Sequence, residues 1–161
     1  MQGELQDDEI CDVIKNYPAR MKRLQDEIES AYVMLANISN GSEKDELIQA
    51  VSMSGEDGHR AFDLDDVLDE YQHFVRKEKD RMRRHIRDLV SDRERMNRIM
   101  EAYNKLSIQD RILMEKMLSG NDPPMVRYME VAEENFWSRA TVLRIRRQIL
   151  DRIKENFGGI Q

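Results

Sequence analysis

One cysteine, three prolines and seven glycines are all that this 161-residue chain has of the residues that staple or break a backbone. A single cysteine, Cys11, excludes an internal disulfide and fits a reducing, cytoplasmic setting. So few breakers leave room for long helices. Aromatic residues are scarce at 6%, and apolar residues reach 40% against 36% charged, which is too polar for a large globular core. That mixture suits helices with a narrow apolar stripe and broad wet faces. No apolar run approaches a membrane span, and Leu5, Ile10, Val13 and Ile14 are scattered among acids, unlike a signal-peptide core.

The chemistry of enzymes is thin as well. His59, His73 and His85 are far apart and lack cysteine partners, so no metal site is expected. No glycine-rich phosphate loop occurs, and the acidic setting of Cys11 discourages a reactive thiolate. Asp63, Asp65, Asp66, Asp69 and Glu70 read as the acid-rich start of a helix rather than a cation site. The eleven methionines read as core filler. The expectation is a non-enzyme that needs no cofactor.

What the chain has in quantity is charge, unevenly placed. Residues 1–75 hold 6 Lys/Arg against 18 Asp/Glu, and residues 76–161 hold 20 against 14. An acidic half joined to a basic half points to a polyanionic partner for the second, unless both are simply solvated helix faces.

Apolar spacing supplies the architecture. Ile10, Ile14, Tyr17, Met21, Leu24, Ile28, Ala31, Leu35 and Ile38 alternate steps of four and three, the seam of a coiled coil within residues 1–38. Pro18 is expected to divide it into a helix ending near Asn16 and another starting near Pro18, with Ser39-Asn40-Gly41 as the stop. Residues 39–60 read as a loop with an apolar island, Leu47–Val51. A long helix over 61–105, capped by Asp63, carries Leu68, Val75, Met82, Leu89, Met96 and Tyr103 at seven-residue spacing. Its partner column, Leu64, Tyr71, Glu78, His85, Asp92, Ile99 and Leu106, has a polar middle that Ile86 compensates from one position round. Ser91 and Glu94 mark an alternative break. Ser107 and Asp110 open a helix to about Leu118, Pro123-Pro124 restart one to about Glu134, and Ser138 caps a last helix to about Asn156.

That last helix is where the positive charge collects. Residues 138–154 contain six basic residues and one acid, Asp151. Val142, Ile145, Ile149, Leu150, Ile153 and Phe157 gather on one side of a helical wheel, and Ala140, Thr141, Arg144, Arg147, Gln148 and Lys154 on the other. An apolar back with a basic, hydrogen-bonding front is what a major-groove helix requires, though a basic amphipathic helix also suits a membrane surface or a protein groove. Arg139, Thr141, Arg144 and Gln148 are the candidate base readers, and Ser138, Arg147, Arg152 and Lys154 the candidate phosphate contacts. Arg146 falls in the apolar arc and is expected to pack its stem and meet Glu130 or Glu133. Trp137 is expected to staple the two helices beside it. The other basic cluster, RKEKDRMRRHIR (76–87), either pairs with the acidic first half or touches flanking DNA backbone.

EVAEENFWSRATVLRI resembles a helix-turn-helix, with Ala132 at the crossing of its two helices. Ser138-Arg139, Val142, Ile145, Leu150 and Ile153 are similar to the pattern of region four of bacterial sigma factors, which in that family enters the promoter −35 element. Ala140 and Arg144 depart from that family's glutamate and glutamine, so its DNA sequence preference is not carried over. Phe136 stands where the family has a glycine, with Asn135 the candidate for the left-handed turn conformation. Over residues 62–157 the chain resembles small phage and prophage transcription activators of the ArpU/RinA-like group, on DLDDVLDEYQHFVRKEKDRMRRHI, LSIQDRILMEKML and the final module.

The expected fold is all-α: a long coiled-coil hairpin followed by a sigma-region-4-like helix-turn-helix module over 106–161. The resemblance implies a sequence-specific regulator of phage or mobile-element genes, an activator by preference, acting in the bacterial cytosol. Its implied partners are double-stranded DNA, RNA polymerase and a second copy of itself through the helical region. A small-terminase-like packaging protein and a coiled-coil module without DNA binding are the alternatives.

Overall fold

The computed structural model describes residues 3–39 and 60–160, with side chains at 3–38 and 65–160. Among these residues there are five helices and no strand: α1 (Asp7–Ser39), α2 (Arg60–Asn104), α3 (Ile108–Leu118), α4 (Pro124–Asn135) and α5 (Arg139–Gly158). None is long and apolar enough to cross a membrane. The loop expected over 39–60, with its island Leu47–Val51, lies outside the described residues except at its two ends.

The expected break at Pro18 does not occur, and α1 runs through it as one helix. An interior proline removes one helix hydrogen bond and crowds the preceding turn, at a cost of about 3 kcal/mol. Contacts on both sides offset that cost. Arg20 pairs with Asp12 across the proline, Asn16 Nδ2 donates to the Asp12 carboxylate at 2.8 Å, and Tyr17 Oη donates to Asn97 Oδ1 at 2.6 Å. The apolar seam keeps its phase as well: Ile14, Tyr17 and Met21 are all half-buried.

The long helix α2 is also unbroken, so Ser91 and Glu94 cap nothing, and Asp63 lies a turn inside its start. Leu68, Val75 and Met82 are half-buried, and Leu89, Met96 and Tyr103 are buried. The partner column holds toward its ends and shifts in its middle. Tyr71 and Glu78 are half-buried and Ile99 and Leu106 buried, but His85 and Asp92 are exposed, and Lys79, Ile86, Arg93 and Met100, each four residues after a member of the first column, turn inward. Burying Ile86 avoids desolvating an imidazole or a carboxylate, and the long stems of Lys79 and Arg93 can cover apolar surface while their heads reach water.

The chain divides into two compact units. Arg23–Ser91 has a small core of Ile28, Ala31, Ile86 and Leu89, flanked by Leu24, Leu35, Met82 and Val90. The other unit joins Met1–Lys22 to Asp92–Gln161. Its core takes Ile10 and Val13 from α1, Met96, Ile99 and Ala102 from α2, Met114 and Met117 from α3, Val131 from α4, and Val142, Ile149, Leu150 and Ile153 from α5. Each such large side chain contributes about 1.5–3 kcal/mol when fully buried. Tyr103 joins them, its hydroxyl donating to the Arg111 carbonyl at 3.1 Å; burial, with Glu115 beside it, pushes its pKa up to about 12.

Candidate nucleic-acid interface

Short-range chemistry sets the ends of the three last helices. Ser107 Oγ accepts from the Asp110 amide at 3.2 Å and starts α3. Gly120, at φ 82°, reverses the chain, and the Arg127 guanidinium lies where its side chain would be. Pro123 and Pro124 start α4, whose lost amide hydrogens would have had no partner in the first turn. Ser138 Oγ accepts from the Thr141 amide at 3.2 Å and starts α5.

The connection between α4 and α5 is only Phe136-Trp137-Ser138. Phe136, not Asn135, adopts the left-handed conformation, at φ 57° and ψ 36°. Asn135 stays helical because its Nδ2 donates to the Val131 carbonyl at 2.9 Å, which holds it in the last turn. A side chain in that region costs about 1–2 kcal/mol relative to its helical conformation. Trp137 is half-buried and its amide donates to the Ala132 carbonyl at 2.9 Å, so it ties the turn to α4.

The two sides of α5 separate as the wheel predicts. Val142, Ile149, Leu150 and Ile153 are buried, and Ile145 and Phe157 half-buried. Arg139, Ala140, Arg144, Arg147 and Gln148 are exposed. Thr141 is half-buried, its hydroxyl 2.9 Å from that of Ser138, so both hydroxyls belong to the cap before they belong to any ligand.

The later half of the helix is occupied by the rest of the unit. Arg152 pairs with Asp110 of α3, and Lys154 Nζ lies 2.7 Å from Asp7 of α1, whose hydrogen bond holds the ammonium pKa above its usual value. Asn156 Nδ2 donates to the Ala102 carbonyl at 3.1 Å. Arg98 donates to the Ile160 carbonyl at 3.0 Å and lies 4.3 Å above the Phe157 ring, where a cation is favoured. Beside it, Arg95 grips Glu9 with two nitrogens, one at 2.9 Å, and that hydrogen bonding holds the Glu9 carboxyl below its usual value.

The residues singled out in the sequence therefore fall into two groups. Arg144, Arg147 and Gln148 share one open face, and Arg139 is exposed at the start of the helix, near Ser138 and Thr141. Arg152 and Lys154 are already neutralised by Asp110 and Asp7. Nothing in the spacing marks those two acids as partners, because they lie 42 and 147 positions away along the chain. Arg146 does not meet Glu130 or Glu133. Its Nη2 lies 3.5 Å from Cys11 Sγ and its guanidinium 5.9 Å from the Tyr128 ring. The two glutamates are exposed, and Glu130 pairs with Arg127. Burial pushes the Cys11 thiol pKa up, against the pull of Arg146. Within the cluster at 76–87, Arg81 pairs with Glu78 at 2.9 Å and Arg83 with Asp80 at 3.5 Å. Among the described residues, no group of His, Cys, Asp and Glu could hold a metal ion.

Compared with protein-family models, curated proteins and solved structures, the chain matches none.

Proposed function

We propose that this protein is a sequence-specific duplex-DNA-binding regulator of transcription, in which α4 and α5 act as a helix-turn-helix and α5 is the recognition helix. One observation carries the reading: Arg144, Arg147 and Gln148 are exposed together on the side of α5 opposite its buried residues, with Arg139 exposed in its first turn. A basic helix whose cationic side was covered could not enter a groove. This one keeps that side open, with its Ser138-capped N-terminus beside it. Arginine reads guanine O6 and N7, and glutamine reads adenine N6 and N7. In this reading Arg139, Arg144 and Gln148 face base edges, Arg147 grips phosphate, and Arg152 and Lys154 hold the helix rather than the DNA.

The packed segments of α1 and α2 form a coiled-coil hairpin that pairs two copies, so the operator is two half-sites. Transcription control, in the manner of the phage activators, comes from the resemblance and from the α4–α5 geometry that fits it. RNA polymerase is the partner an activator of this kind contacts. Selection of bound duplexes from a random pool tests the reading. One enriched motif, lost with Arg144→Ala at a single base position, is the expected result. Failure to retain any duplex at low salt would leave the coiled-coil interaction module as the better description, and a ring-sized mass in solution would favour a packaging protein.

A further inference from the structure

We propose that Phe136 is a specificity-determining contact to DNA, its ring seated against a thymine methyl at the edge of the major groove where α5 enters. The inference rests on the duplex reading above. Three observations support it.

Phe136 is 96% exposed, well beyond the next large apolar side chain, Ile108, at 67%. The fold gains almost nothing from burying it. Phe136 is also the one residue other than glycine, among those described, with a positive φ. Glycine would make the same turn without strain. The chain therefore carries a strained backbone and a wet aromatic ring at one position, a combination that stability does not explain and that recurs at ligand contacts.

Its place supplies the ligand. Phe136 stands two residues ahead of the Ser138 cap, at the end of α5 that approaches bases. Phe136 lines a shallow groove together with Met129, Ala132, Glu133, Trp137 and Arg139. Arg139 suits a guanine edge, as in the duplex reading, and Glu133 repels phosphate, which turns the groove toward the bases. The thymine 5-methyl is the apolar feature that a major groove presents.

The test uses the full-length protein and its selected duplex, with each thymine replaced in turn by deoxyuridine, which deletes only the methyl. At one thymine the wild type should lose about fourfold in affinity, the burial of one methyl group. Phe136→Gly should bind the unmodified duplex about tenfold more weakly and be indifferent to that replacement. It should also melt no lower than wild type, so that weaker binding is not unfolding. Phe136→Asn, which tolerates the same backbone, serves as the second variant. If Phe136→Gly binds as tightly as wild type while Arg144→Ala does not, the ring serves another partner and the inference falls alone. The same holds if every deoxyuridine costs both proteins equally. If the wild type retains no duplex, the reading of α5 falls first and this one with it.

Discussion

Salt dependence separates the cations that α5 offers from those it has already used. Five of its basic residues read from sequence as DNA contacts: Arg139, Arg144, Arg147, Arg152 and Lys154. Of these, Arg147, Arg152 and Lys154 read as phosphate contacts, and if all three displaced counterions the slope of log affinity against log salt would be about −2.7 per protomer, at about −0.9 for each phosphate neutralised. The structure leaves Arg147, because Arg152 is held by Asp110 and Lys154 by Asp7. Moving either cation to a phosphate would strand a carboxylate, which takes up a cation of its own and cancels the release. The expected slope is therefore about −0.9 per protomer, twice that for a dimer on two half-sites. Arg147→Ala should flatten it by about 0.9 per protomer, and Arg152→Ala should leave it unchanged. Arg152→Ala should cost no more than about 1 kcal/mol of stability, since that side chain is half exposed. Fluorescence anisotropy of a labelled duplex, titrated at several salt concentrations, measures all three proteins. An Arg152→Ala slope reduced as much as that of Arg147→Ala would refute the division of the helix into a binding and a holding half. A slope near zero in the wild type would refute DNA binding itself.

Three further outcomes concern the scaffold. Ile149→Ala empties a fully buried position and should cost about 2–5 kcal/mol, seen as a lower urea midpoint, whereas the 40% exposed Leu143→Ala should change it little. Gly120→Ala forces a side chain into the left-handed region and into Arg127, and should lower Tm by about 2–8 °C, with Gly3→Ala, where nothing lies within 4 Å, as the silent control. Glu9, its carboxyl held below the usual 4.5 by Arg95, contributes stability that is fully present above that value and lost as pH falls through the lower folded one. The Tm advantage of wild type over Glu9→Gln should then shrink on acidification below about pH 4 and stay constant between pH 6 and 8. An advantage independent of pH would mean that the Glu9–Arg95 pair is not what sets it.

Much of the helical plan was legible from residue spacing, since period and caps are local properties. Ser107, Pro124 and Ser138 start their helices where the residues say, because each supplies or spares a hydrogen bond within one turn. The buried and open sides of α5 follow from its 3.6-residue period. Two local features were not legible in the spacing. Pro18 lies inside a helix whose apolar seam stays in phase on both sides of it, with Tyr17 bonded to Asn97 of α2, and Phe136 rather than Asn135 is left-handed because a contact within the last turn, Asn135 to Val131, keeps Asn135 helical.

Sequence alone determined that the protein is helical, that its last helix is apolar behind and basic in front, and where that helix begins, since all three depend on neighbours within a few positions. Tertiary structure decided which cations remain open. Asp7 and Asp110 meet Lys154 and Arg152 only once distant helices are packed together, and charge neutralisation acts through distance in space, which residue spacing does not encode.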